Sequence, residues 1–268
     1  MTDVLTQPGA LHLGDTPRVP FARLVRVELR KAYDTRAGFW LLVAIVGLLV
    51  VIPGIAVIVT LVNNDPIQLD DFVGIASYMA SFLLPFLAIM LVTSEWSQRT
   101  AMVTFSLEPR RSRVVFAKMA AAVLLTVLNL IAGLGIGVLY TAICEVVQPD
   151  QTGWHLDAGN VAGFFVTALL AMLGGFAIAT LLLNTPASIV LFVVYRFVLP
   201  GVFAALSALS DTLSKVIPWI DFQGAQGDIY EWTLSGAEAW AHLVVSGLLW
   251  LVLPLALGVW RLVRAEVK

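Results

Sequence analysis

The chain has 268 residues, of which 59% are apolar and only 13% charged, with a mean hydropathy of +0.91. A soluble globular domain carries roughly 25% charged residues, so a water-soluble fold is excluded. The net charge of −2 gives no bulk attraction to nucleic acid, and the single cysteine, Cys144, excludes a disulfide framework and a cysteine metal cluster.

In chain order, residues 1–17 are polar and rich in turn formers and are expected to be a disordered tail, ahead of a single domain over 18–268. A cleavable leader places its apolar core within the first ~15–30 residues, whereas here the first apolar run begins near Gly38, so it reads as a retained anchor. Before it, residues 20–36 repeat at helical spacing. Arg23, Arg26, Arg30 and Asp34 share one stripe, and Phe21, Val25, Leu29 and Ala32 share another. A basic amphipathic helix of this kind is expected to lie in a membrane interface, cations toward lipid phosphates.

Six later segments, roughly 38–62, 72–93, 115–142, 160–182, 186–209 and 239–262, reach the ~20 apolar residues a helix needs to cross a ~30 Å hydrocarbon core. None shows the alternation of a barrel strand. The predicted fold is therefore an all-α polytopic membrane protein. Asn184 and Pro186 mark a tight turn that pairs the fourth and fifth spans as an antiparallel hairpin. Residues 210–238, with Pro218, Trp219, Phe222, Tyr230 and Trp232, are too few to bury a core and are predicted to form short re-entrant or surface-lying helices. Of the 16 basic residues, Lys215 alone falls on the side opposite the N-terminus, and Arg196 falls within a span. The positive-inside bias therefore puts both termini in the cytoplasm. Acids such as Asp65, Asp70, Asp71, Asp157 and Glu231 fill the opposite loops.

The one substantial inner loop, Ser94 to Lys118, reads SEWSQRTAMVTFSLEPRRSRVVFAK. It holds Glu95 beside the second span, a helix-capable piece from Arg99 to Leu107, a break at Pro109, and the cluster Arg110, Arg111 and Arg113. Proline disfavours helical angles at the residue before it, so the short helix is expected to end at Glu108, leaving a compact knob. The chain contains no GxxxxGK[ST] phosphate loop, and Gly133, Gly135 and Gly137 lie inside an apolar span. Any ATP hydrolysis is expected in another subunit, and the chain itself is not expected to be an enzyme.

This loop resembles that of the permease subunits of type-two ABC exporters, in particular the short six-span actinobacterial kind. The matching residues are Glu95, Arg99, Thr100, Leu107, Pro109, Arg110, Arg113 and Lys118, with Arg99 standing where many relatives have glycine. The leader from Pro20 to Trp40 and the ending LPLALGVWRLVRAEVK are similar to that family as well. The resemblance implies a cytoplasmic coupling helix at the loop, built on Glu95, Arg99, Thr100, Glu108, Pro109, Arg110 and Arg113. It also implies an elbow helix carrying Arg23, Arg26 and Arg30. The implied partners are two copies of an ABC ATPase that binds ATP and Mg, a second permease copy or a homologous permease, and membrane lipid of the bacterial cell membrane. Export, or extraction of a lipid-like substrate, is the implied function.

Arg196 lies in the middle of VLFVVYRFVLPG. A central arginine costs ~2.5–3.5 kcal/mol on insertion scales, so it is expected to face protein or water. Two readings stand: Arg196 with Tyr195 lines a pathway or meets an anionic headgroup, or Arg196 makes a structural contact with carbonyls or a hydroxyl such as Tyr140. Gly133 to Gly137, Gly159 to Gly163 and Ala171 to Gly175 permit close helix approach, within the chain or across a dimer. Pro53, Pro85 and Pro200 are candidates for kinks. His12, His155 and His242 have no metal-ligand spacing, and no GxSxG turn occurs. A channel or carrier working without ATP, and a sensor or immunity subunit that binds an antimicrobial without transport, remain the alternative classes. The first would need polar residues repeated along the spans.

Overall fold

A computed structural model describes residues 19–264 apart from Arg99 and Pro109. The expected tail over 1–17, together with Arg18, Arg99, Pro109 and Lys268, lies outside the described residues. The protein is all-α apart from one two-residue parallel pairing of Ile67–Gln68 with Thr152–Gly153. A helix over Phe21–Asp34 precedes six helices long and apolar enough to cross a membrane: Arg36–Asn63, Leu69–Ser97, Arg111–Val147, Ala158–Leu182, Thr185–Leu209 and Ala237–Arg264. The chain is a multi-pass membrane protein. The third span runs 37 residues, longer than its apolar stretch, because Arg111 to Lys118 continue the helix beyond the apolar stretch.

Helix ends follow local chemistry. Thr35 Oγ1 accepts from the Gly38 amide and caps the first span, and Asp157 Oδ1 does the same for the fourth. Asn64 and Leu183 close the first and fourth spans in the left-handed conformation. Asn184 then caps the fifth span, which starts one residue later, so the expected tight hairpin forms.

The second and fourth spans form the centre. In the most apolar stretch of each, 59% and 50% of residues are buried, against 6% in the fifth span and 11% in the sixth. Leu84, Leu87, Met172 and Phe176 fill the core between them. Close approach is set by missing side chains: a Cβ on Gly175 would stand 2.6 Å from the Pro85 carbonyl oxygen, and one on Gly137 2.7 Å from Val73. Gly163 abuts the backbone carbonyl of Ile229. The small-residue positions Gly137, Gly163 and Gly175 thus serve packing within one chain. Gly175→Val is expected to cost about 1–3 kcal/mol by overpacking. Gly47→Ala, with no atom within 4 Å of the new Cβ, should leave the unfolding temperature in detergent the same or slightly raised.

The alternation of spans gathers Phe21–Asp34, the loop from Gln98 to Arg110 and the end of the sixth span at one basic end. The loops rich in aspartate and glutamate collect at the other. From that acidic end, residues 210–238 fold back among the spans as short turns: Asp211–Val216, Ile217–Trp219, Gly224–Gln226 and Gly227–Tyr230. Trp250 Nε1, in the middle of the sixth span, donates to the Ile220 carbonyl at 2.7 Å, so the segment reaches the midpoint of the bundle.

Candidate functional site

At the basic end, four charged side chains meet. Glu28 and Lys31 come from Phe21–Asp34, Glu95 from the end of the second span, and Lys118 from the third. Lys118 Nζ donates to Glu28 Oε2 at 2.7 Å and to the Leu91 carbonyl at 2.9 Å, and stands 3.1 Å from Glu95 Oε1. Lys31 Nζ bridges the same carboxylates, 2.8 Å from Glu28 Oε1 and 2.5 Å from Glu95 Oε1. Glu28, Glu95 and Lys118 are all buried. Two cations against two anions make the cluster neutral, which is the condition for keeping charge away from water. Burial alone would lower the Lys31 pKa, but Glu28 and Glu95 outweigh it and hold the ammonium above the ordinary lysine value.

This cluster corrects one expectation about Phe21–Asp34. Val25 and Ala32, expected on a lipid-facing stripe, are buried, with Val25 against Ala117 and Ala121 of the third span. Glu28 lies on that same face, and its need for Lys118 turns the face toward protein. Arg23, Arg26 and Arg30 remain exposed, Arg30 pairing with Asp34 at 2.8 Å. Phe21, Val27 and Tyr33 are left as the outward apolar residues.

The loop is fastened to this cluster. Thr100 precedes a helix over Ala101–Leu107, and Thr104 Oγ1 donates to Glu95 Oε1 at 3.2 Å. Glu108 is extended (φ −132°, ψ 94°), so the short helix stops where the proline rule requires. Its carboxylate, buried, accepts from Arg113 Nη1 at 2.8 Å, while Arg113 Nη2 donates to the Val19 carbonyl at 2.8 Å. Of the residues singled out in the sequence, Glu95, Glu108 and Arg113 hold the loop to the body, and Thr100 and Arg110 are exposed. Met102 and Val103, which sequence reasoning passed over, stand 58% and 60% exposed on the loop helix. Among the described side chains of that helix they are the exposed apolar ones, hereafter its tip.

A second constellation surrounds Arg196. The Leu199 amide donates to the Val194 carbonyl, a wide π turn over Val194–Val198. Pro200 has no N–H, so the Tyr195 carbonyl finds no donor in its own helix. Gln223 Nε2, from the folded-back segment, fills that vacancy, and Gln223 Oε1 accepts from Arg196 Nη1 at 2.5 Å. Arg196 Nη2 reaches Ser81 Oγ at 3.4 Å, and the guanidinium lies 5.5 Å from the Phe82 ring centre. Tyr140, the anticipated hydroxyl partner, is elsewhere: its hydroxyl donates to the Val50 carbonyl at 2.7 Å. Tyr195 stacks on Trp250 at 5.1 Å rather than on Arg196. The sixth span repeats the device, with a π turn over Leu248–Val252 ahead of Leu253 and Pro254.

Among the described residues, no group of three or more His, Cys, Asp or Glu side chains is placed to hold a metal ion. Compared with protein-family models and with curated proteins, the sequence matches none.

Proposed function

We propose that this chain is the permease subunit of an ATP-driven exporter of the type-two ABC kind. Two permeases, either two copies of this chain or this chain with a homologous one, form the substrate pathway. Two copies of a separate ATPase bind ATP and Mg and drive it. The reading places the protein in a bacterial plasma membrane with both termini cytoplasmic, Phe21–Asp34 as an elbow helix, and the loop helix Ala101–Leu107 as the coupling element.

The observation that carries this reading is mechanical. The loop helix is tied to the elbow helix and to the second and third spans by Thr104, Glu95, Lys31 and Lys118, and again by Glu108 and Arg113. A push on its tip would move those elements as one body. The tip offers Met102 and Val103, unpartnered apolar side chains suited to a groove in another protein. Arg23, Arg26 and Arg30 point outward, where lipid phosphates would hold the elbow.

Mild-detergent purification from the native membrane is the first check. The expected result is a stoichiometric companion bearing a phosphate-loop motif and hydrolysing ATP. A chain that purifies without any ATPase and still moves solute across vesicles would favour the carrier reading instead.

A further inference from the structure

The geometry points to a zwitterion-binding site between the second, fourth and fifth spans and the folded-back segment, in which Arg196 takes the ligand's anionic group and the acids at the mouth take its ammonium. Two adjoining recesses form it, sharing Tyr230 and Glu231 in their walls. The deeper one, about 270 Å³, is lined by Arg196, Ser81, Tyr78, Thr167 and Gln223 among others. The outer one, about 590 Å³, is lined by Asp70, Asp71, Asn160 and Glu231.

Glu231 shares the recess, but among the described residues the guanidinium at the deep end makes no ion pair. Among the described residues no carboxylate pairs with Arg196, whose two hydrogen bonds go to the neutral oxygens of Gln223 and Ser81. A guanidinium held this way retains donors for a carboxylate or phosphate, the oxyanions it binds best. At the mouth the sign reverses. Asp70 Oδ2 accepts from Asn160 while its Oδ1 has no donor, and Glu231 is exposed and makes no ion pair among the described residues. A simple anion would be repelled on entry and a simple cation repelled at Arg196. Only a molecule carrying both charges satisfies both ends.

Such a ligand can be a lipid headgroup or a free solute. A lipid source is favoured by an apolar cavity of about 700 Å³ on the same elements, lined in part by residues next in sequence to the site's own: Val166, Leu170, Phe222 and Ile229. Binding here needs no ATPase, so the test is independent of the coupling mechanism proposed above.

The purified chain would be titrated with short-chain phosphatidylethanolamine, with phosphatidylglycerol of the same chain length, and with soluble glycerophosphoethanolamine, binding being read by native mass spectrometry. The expected preference for the ethanolamine lipid over the glycerol lipid is at least about tenfold, because only the ethanolamine ammonium can make a charge-assisted hydrogen bond to the acids at the mouth. Competition by glycerophosphoethanolamine would mark a free solute as the natural source, and its failure to compete would mark a lipid. Arg196→Gln should lose the ethanolamine lipid, while Arg196→Lys should keep part of it. Should Arg196→Gln not fold, the pair Asp70→Asn and Glu231→Gln, at the mouth, must by itself abolish the preference. Equal binding of both lipids by the unaltered chain, or an undiminished preference in the mouth variants, overturns the proposal.

Discussion

Lys118→Met is expected to destabilise the folded chain by about 3–5 kcal/mol, the cost of breaking a buried ion pair by removing one partner. Lys118 donates to Glu28 and to the Leu91 carbonyl and stands beside Glu95. Without it, Lys31, whose side chain is 34% exposed, is the one cation left to the two buried carboxylates among the described residues. The paired change Glu28→Gln with Lys118→Met restores neutrality, leaving Lys31 with Glu95, and should recover most of the loss. Unfolding curves in detergent for the single and paired variants distinguish this from a packing effect, which pairing would worsen. A single variant within about 0.5 kcal/mol of the parent, the range of ordinary surface substitutions, would refute the account of the cluster. The pH dependence has a definite sign. Lys31 is raised in the folded state, so its contribution is complete below the ordinary value of 10.5 and fades only as pH climbs through the higher folded value. From about pH 6 to 9 Lys31 should therefore contribute a flat stability profile.

The second large effect is expected at the loop tip. If the proposed coupling to an ATPase holds, Met102→Glu with Val103→Glu should abolish stimulation of that ATPase, a loss of about 100-fold or more in apparent affinity, since a carboxylate would have to be desolvated where the proposal seats an apolar side chain. Both side chains are mostly exposed in the free chain, so its own unfolding should shift by less than about 0.5 kcal/mol. ATPase rates and complex recovery on gel filtration report the first quantity, and thermal unfolding the second. By contrast, charge changes at Glu95 or Glu108 are expected to lower the yield of folded chain as well, because those carboxylates hold the loop from inside.

Much of this architecture was legible in the residues. Six apolar runs of sufficient length became six long helices, and the proline after Glu108 marked where the loop helix stops. Asn184 announced the turn between the fourth and fifth spans. What periodicity could not supply was the destination of charged side chains. Glu28 is a lone acid on an otherwise apolar stripe, and Lys118 sits eight residues into a long helix. Each signalled a need for a partner, but the partners are 90 residues apart. Nor does a sequence say which face of an amphipathic helix meets protein instead of lipid. Here the Glu28 to Lys118 contact decides it. Arg196 was conspicuous, yet its neighbour Gln223 was not, because the vacancy Gln223 fills arises only once Pro200 has widened the turn in the fifth span.

Coupling through the loop helix is tested most directly by proximity. With the buried Cys144 replaced by serine, Val103→Cys on the loop tip and Ser210→Cys at the opposite end of the bundle would each be treated with a short thiol crosslinker in native membranes. The account predicts one product from position 103, joined to a phosphate-loop ATPase with a yield that changes when ATP is added, and none with that protein from position 210. An ATPase captured equally from both ends, or from neither, would contradict it.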